Sequence, residues 1–324
     1  MNNIGVVVIG RNEGPRLLKC LQSLVGKAKS IVYVDSGSTD DSVALAMGLG
    51  VHVIHLDIQI PFTAARARNA GAYYLYQQDN SLDYVQFVDG DCEVVESWLD
   101  QASIFLNTHP SVAVVCGRRR ERYPEASFYN LLCDIEWDTP IGNTNACGGD
   151  ALMRYDAFVS ESGYREDLIA GEEPELCIRF RLAGYKIYRL EAEMTLHDAA
   201  MTSFKQWWMR TTRGGYAFAQ GAYLHGRSTE KHWVAESKRA WLWGAIIPVS
   251  ICILSVLINA FFLFLFLIYP IQVIRIAMFG KNQHQAKWRY AFFLVLGKFP
   301  ELVGQVKFLW HLFFNIRGNL IEYK

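Results

Sequence analysis

From Trp241 to Ile274 the chain carries no charged side chain. As one helix this run would be ~50 Å long at about 1.5 Å per residue, against a hydrocarbon core of about 30 Å. One span leaves much of the run over and two full spans are tight. The sequence therefore predicts a hairpin of two short helices turning near Asn259, with Pro248 and Pro270 tolerated inside it. Lys231, Lys238 and Arg239 stand before the run, and Arg275, Lys281, Lys287 and Arg289 after it. Two spans place both basic flanks on the cytoplasmic side, as the positive-inside rule prefers. A core helix of a soluble domain is the alternative, and this length without a charge argues against it. Beyond Pro300, Leu302, Val303, Val306, Leu309, Trp310 and Phe313 share one helical face, with Glu301, Gln305 and Lys307 elsewhere. That pattern predicts a helix in the membrane interface or packed on the spans.

The first two thirds of the chain are different in kind. Ile4 to Ile9 is a β-branched run suited to a strand buried on both faces. Gly10-Arg11-Asn12-Glu13-Gly14-Pro15 breaks it, and Leu17, Leu18, Leu21 and Leu24 follow at helical spacing. Ile31 to Val34, Val43 to Leu49 and Val51 to Leu56 continue as strand, helix and strand, a pattern that predicts parallel pairing with right-handed crossovers. Tyr84 to Val88 is another short strand, and it ends in Asp89-Gly90-Asp91. Carboxyl ends of strands in open α/β sheets face ligand crevices, and hard carboxylate oxygens suit Mg²⁺ or Mn²⁺. An isolated Asp-Gly-Asp also reads as a solvated turn. Asp35 ends its own strand in the same way, where it can accept from a ribose or a base, or close an Asx-turn. Arg68 lies near a helix N-terminus, unfavourable for the dipole unless its guanidinium reaches an anion. Lys+Arg equals Asp+Glu, so no overall field draws the chain to nucleic acid. Seven scattered cysteines without a Cys-x-x-Cys pair fit a reducing compartment. The first residues lead straight into a strand and show no secretory signal.

"IGVVVIGRNE", "VDSGSTDDS", "ARARNAGA" and "FVDGDCEVVESWL" occur in an order and spacing that resembles the family 2 glycosyltransferases. The resemblance covers residues 4 to 200 well and 201 to 279 loosely. It implies a GT-A fold, an α/β architecture with a Rossmann-like, mostly parallel sheet. It also implies inverting transfer of a sugar from a nucleoside diphosphate. Asn12, Glu13 and Asp35 are then expected to hold the nucleoside, with Arg68 near the phosphates. Asp89 and Asp91 become the Asp-x-Asp element at the metal, Asp91 the more direct ligand of the two. Ser36 stands where many members carry a second aspartate.

Between residues 116 and 200 the resemblance implies further roles. Cys147-Gly148-Gly149-Asp150 resembles the glycine-rich strand beneath the donor sugar, with Gly149 open to close backbone approach. Glu172-Glu173 stands where the family has Glu-Asp, so Glu173 is the expected general base, one methylene longer than aspartate. Acids ahead of Pro174 also suit a helix N-terminus, and helix capping is the competing reading for Glu175. His197 is placed where a histidine of related enzymes approaches the metal or the diphosphate. Arg210 and Arg213, in a Trp-rich segment, are expected to close over the diphosphate, although Trp and Arg are equally at home at headgroup level. Gly117 to Arg122 reads as a solvated, positively charged strand edge.

The expectation is therefore an α/β GT-A catalytic domain over 1–200 (nucleotide half 1–115, acceptor half 116–200). An interfacial helical segment over 201–240, a transmembrane hairpin over 241–279, and a basic loop with an amphipathic helix over 280–324 follow it. The enzyme would use Mg²⁺ or Mn²⁺ and a UDP- or GDP-linked sugar. It would glycosylate a glycan or lipid-linked acceptor for surface polysaccharide from the cytoplasmic face of the inner membrane. A catalytically silent, nucleotide-sugar-binding scaffold is the rival, supported by glutamate in place of aspartate at 173. A nucleotidyltransferase would want a glycine-rich phosphate loop, of which "GRNEGP" is a poor example.

Overall fold

Ile4–Gly10 (β1) is apolar at almost every position because the whole strand is enclosed: Ile4, Val6, Val7 and Val8 are fully buried. Such a run suits the interior of a sheet. A computed structural model of the chain describes residues 3–280, 286–316 and 318; Lys281, one of the expected basic flanking residues, lies outside the described residues. The chain divides into two compact units, Met1–Thr202 and Ser203–Lys324.

In the first unit β1 is followed by α1 (Pro15–Leu24), β2 (Ser30–Asp35), α2 (Ser42–Gly48), β3 (His52–His55), α3 (Ala64–Gln78) and β4 (Tyr84–Asp89). Then come β5 (Cys92–Val94), α4 (Trp98–Thr108), β6 (Val112–Glu121), α5 (Phe128–Trp137), β7 (Gly142–Thr144), β8 (Ala151–Arg154), α6 (Tyr155–Ser160), α7 (Glu172–Leu182) and β9 (Lys186–His197). The strands form one sheet in the order β3-β2-β1-β4-β8-β6-β9-β5, with β7 also on β9. β1 pairs in parallel with β2 and β4, and β2 with β3. The expectation of a mostly parallel sheet holds only for this first part. β8 runs antiparallel to both its neighbours, and β5 and β7 run antiparallel to β9, leaving β6/β9 as a further parallel pair.

Register sets up the site. Gly10 lies opposite Asp35 and Ile9 opposite Asp89, so the carboxyl ends of β1, β2 and β4 are level. Gly90 N–H then donates to Ile9 O at 2.8 Å. A Cβ on Gly90 would stand 3.1 Å from that oxygen, so the turn between the two aspartates passes close under the end of β1.

The second unit is helical among its described residues. It comprises α8 (Phe204–His225), α9 (Val234–Trp241), a π turn Leu242–Ile246, α10 (Ile247–Leu257), a 3₁₀ segment Ala260–Leu267, α11 (Ile268–Phe279), α12 (Lys287–Leu296) and α13 (Lys298–Phe313). Ser203 and Gln206 form a reciprocal capping box at the start of α8. Two continuous helices, Val234–Leu257 and Ala260–Phe279, are long and apolar enough to cross a membrane, with only 11% and 6% of their most apolar windows buried. The turn falls at Asn259 as the sequence predicts, its Oδ1 accepting from Phe261 N–H at 2.8 Å. Tyr269 OH ties the two together by donating to Trp243 O in the π turn at 2.6 Å. α13 turns its polar side inward: Gln305 is 1% exposed and its Oε1 accepts from Ser237 Oγ and Trp241 Nε1. Val306, Leu309, Trp310 and Phe313 remain exposed.

Candidate active site

β5, β9 and β6 lie side by side, and the register places Cys92 opposite His197 and His197 opposite Glu121. Three distant parts of the chain meet there. Asp91, buried just before β5, has Oδ1 3.3 Å from His197 Nε2. Asp198 N–H donates to Asp91 O at 3.2 Å, which fixes the two turns together. Asp91, Cys92 and His197 present ligand atoms close enough to share one metal ion. Burial and the neighbouring acids hold the Cys92 thiol well above its ordinary pKa despite the Arg119 guanidinium, so oxygen and nitrogen are the available donors. A carboxylate and an imidazole suit Mn²⁺ and related divalent ions. Asp91 also lines a cavity shared with Arg16, Lys19 and Arg122.

Asp89 is engaged differently. Arg68 Nη2 lies 2.9 Å from its Oδ1 and Arg119 Nη2 3.0 Å from its Oδ2. Its backbone N–H donates to Asp150 Oδ1 at 3.0 Å. Burial would raise the Asp89 pKa, but the two guanidiniums win and hold it below the ordinary value. Both Asp89 oxygens thus meet arginines, while Asp89, Cys92 and Asp150 also bring ligand atoms close enough to share one ion.

Arg68 is the centre of the network. It is 2% exposed and also reaches Glu172 Oε1 at 2.8 Å and Glu173 Oε1 at 3.0 Å. The expectation of an arginine at the phosphates meets a side chain turned inward onto three carboxylates. Asn69, its neighbour on α3, explains how the loop before α7 is held there: Nδ2 donates to Tyr164 O at 2.8 Å and Oδ1 accepts from Tyr164 N–H at 2.9 Å. Gly171 enters α7 with a left-handed φ of 82°, which glycine tolerates. Glu172, Glu173 and Glu175 then fill the first turn, where acids are favoured. Glu175 pairs with Arg179 at 2.8 Å and is a structural acid. Glu173 is the exception, its side chain 16% exposed. Burial and the adjacent Glu172 push it up to about 7 against the pull of Arg68. A carboxylate poised there can take a proton from a hydroxyl near neutral pH.

Gly149 lies directly over this network. A Cβ there would stand 2.4 Å from Arg68 Nη2 and 3.0 Å from Asp89 Oδ2. At the ends of β1 and β2, Asn12 Oδ1 accepts from Thr39 N–H at 2.7 Å, and Asn12 N–H donates to Ser38 Oγ. Asp35 is buried and its carboxylate accepts from Gly37 N–H and Ser38 N–H, closing its own turn. Glu13 pairs with Arg16 at 2.7 Å. These three residues therefore form one cluster beside the Asp89–Asp91 turn. Arg210 and Arg213 lie on α8 in the second unit.

Residues 5–158 match the family model described as "Glycosyl transferase family 2". This stretch is a family 2 glycosyltransferase domain. The matched stretch is just under half of the chain and lies within the first unit. The GT-A fold of the domain is also that of the mannosyltransferase PcManGT from Pyrobaculum calidifontis, solved in complex with GDP-Man and Mn²⁺. The two superpose with a TM-score of 0.67 at 16% identity, over 95% of this chain and 87% of that one. Among curated proteins, glycosyltransferase AglE of Haloferax volcanii is 24% identical over 197 residues, 57% of this chain and 63% of that one. The O-antigen chain rhamnosyltransferase RfbN of Salmonella typhimurium is 23% identical over 188 residues, 53% of this chain and 58% of that one. The chain thus spans about three fifths of the length of these curated relatives.

Within the glycosyltransferase domain, sequence reasoning missed Arg119, Asp150 and Glu121. Asp150 is fully buried, accepting from Thr195 Oγ1 at 2.8 Å as well as from Asp89 N–H. An acid directly after Gly148-Gly149 was the available signal. The basic segment is not the solvated strand edge expected of it. β6 is an interior strand, Arg118 is buried against Asp134 at 2.9 Å, and Arg119 stacks on Trp137 with its guanidinium 5.0 Å from the ring centre.

Proposed function

We propose that the chain transfers a single sugar, with inversion, from a UDP- or GDP-linked donor to a hydroxyl of a glycan or lipid-linked acceptor at the membrane. The observation that carries this reading is the link between two groups. Glu173, a carboxylate with a pKa near 7, is joined through Arg68 to Asp89, two residues from the Asp91–His197 pair. Glu173 takes the proton of the acceptor hydroxyl as that oxygen attacks the anomeric carbon. The bond from that carbon to the diphosphate breaks on the opposite face, so the configuration inverts. Asp91 and His197 would hold Mn²⁺ or Mg²⁺, which when bound supplies positive charge for the leaving diphosphate.

Asp89 acts here through its neighbours. It gathers Arg68 and Arg119, and Arg68 in turn fixes Glu172 and Glu173. Asn12, Glu13 and Asp35 form the nucleoside end, and Gly149, whose missing side chain admits Arg68 and Asp89, belongs to the donor side. Arg210 and Arg213 remain assigned to the diphosphate. The two apolar helices support a membrane-bound acceptor, and basic residues at both ends of the pair support a cytoplasmic catalytic unit.

Purified protein in detergent, offered UDP- and GDP-sugars with Mn²⁺ and a membrane extract as acceptor, tests the reading. Released nucleoside diphosphate with one donor supports it and names that donor. Donor binding without turnover would favour the silent scaffold, and pyrophosphate release a nucleotidyltransferase.

A further inference from the structure

Glu121 ends β6 with its side chain wholly buried. Its Oε1 accepts from Tyr123 N–H at 3.1 Å and Asn130 Nδ2 at 3.2 Å, and its Oε2 from Ala199 N–H at 3.0 Å. Asn130 Oδ1 accepts in turn from Met201 N–H at 2.9 Å. The carboxylate thus pins the chain where it leaves β9, just after His197. The same Oε2 is 3.7 Å from His197 Nδ1, a buried nitrogen with no hydrogen-bond partner. On its other side the ring turns Nε2 toward Asp91 Oδ1 at 3.3 Å, and Trp137 meets it edge-on with centroids 4.7 Å apart. The imidazole is walled in by two carboxylates and an indole.

We infer that Glu121 is a positioning residue for His197, holding the proton on Nδ1 so that the Nε2 lone pair and the Asp91 carboxylate converge on a divalent cation. Nδ1 is the ring nitrogen that faces the Glu121 carboxylate, 3.7 Å from Oε2, and a carboxylate oxygen can only accept from it. Nε2 then offers its lone pair beside the Asp91 carboxylate, the oxygen and nitrogen donors that a divalent cation would take together. A carboxylate behind a ligating histidine is a recurrent arrangement whose loss costs ten- to hundred-fold in metal affinity. This inference rests on the proposed metal site, and it adds a residue that does not touch the metal.

The test is Mn²⁺ binding to the full chain in detergent, without donor, read by the paramagnetic relaxation of water protons. Glu121→Gln is compared with wild type, and again in a His197→Ala background. The expected result is an affinity weakened ten- to hundred-fold by Glu121→Gln in the wild-type background. With His197 gone, the same change is expected to cost nothing further. Wild-type affinity in Glu121→Gln, or an equal loss in both backgrounds, would overturn the positioning role and leave the metal site standing. No Mn²⁺ binding by wild type would overturn both together. Should Glu121→Gln fail to fold, nitrogen-15 spectra of His197 in the wild type decide the matter. A proton on Nδ1 supports the inference, and a proton on Nε2 alone contradicts it.

Discussion

Glu173 shows how one methylene beyond aspartate is accommodated. Arg68 holds Oε1 at 3.0 Å, so the longer side chain is tied back. Its raised pKa has two consequences of known sign. As the proposed base it must be ionised, so turnover should rise with pH through about 7. For stability, a carboxyl whose folded pKa lies above the ordinary value of 4.5 favours the fold while protonated, and that contribution is lost as pH rises through about 7. Glu173→Gln should therefore abolish turnover yet melt higher than wild type at pH 8, with the difference shrinking below pH 5. Equal melting at pH 8 would argue that Glu173 is not strained. Arg68→Met should do the opposite, leaving Asp89, Glu172 and Glu173 without their shared cation at a cost of about 3–5 kcal/mol, measured by denaturant unfolding. Arg68 was legible as a residue needing an anion. That the anions are the protein's own carboxylates was not, because this depends on the loop held by Asn69, which is far away in sequence.

Among the elements, the strand–turn–helix rhythm of the first half was readable since each parallel strand is an unbroken apolar run. β6 was not. Register shifts between Cys116 and Arg118, and again between Arg118 and Arg119, break the two-residue alternation on which a strand reading relies. Both arginines consequently find acids inside the unit. Glycines mark where elements touch. Gly149→Ala would press a methyl onto the Arg68–Asp89 pair and should cost about 1–3 kcal/mol together with most of the activity. In the second unit, a Cβ on Gly215 would lie 2.1 Å from Glu301 O, and one on Gly304 2.1 Å from Thr212 O. α8 and α13 therefore pack backbone to backbone. Gly304→Val should separate them and lower the melting temperature of the full chain, while Val306→Ala, on the exposed side of α13, should leave it unchanged.

At the scale of the whole molecule, charge patterning was the plainest text. The uncharged run became two helices broken at Asn259, although the first begins at Val234, before the run itself. What the pattern could not give was the inward-facing Gln305, since an apolar stripe on a helix reads the same whether lipid or protein covers it. Met1–Thr202 carries its own sheet and hydrophobic core. Expressed alone, it should fold and stay in the supernatant after ultracentrifugation, whereas the full chain should sediment with membranes. A full chain that stays in the supernatant would contradict membrane attachment. The most direct test of the account as a whole is metal-dependent release of nucleoside diphosphate by wild type, Asp91→Ala and Glu173→Gln, measured side by side with the donor that wild type accepts. The account expects release from wild type with Mn²⁺, none after chelation, and none from either variant. Undiminished release from Glu173→Gln and Asp91→Ala would contradict it.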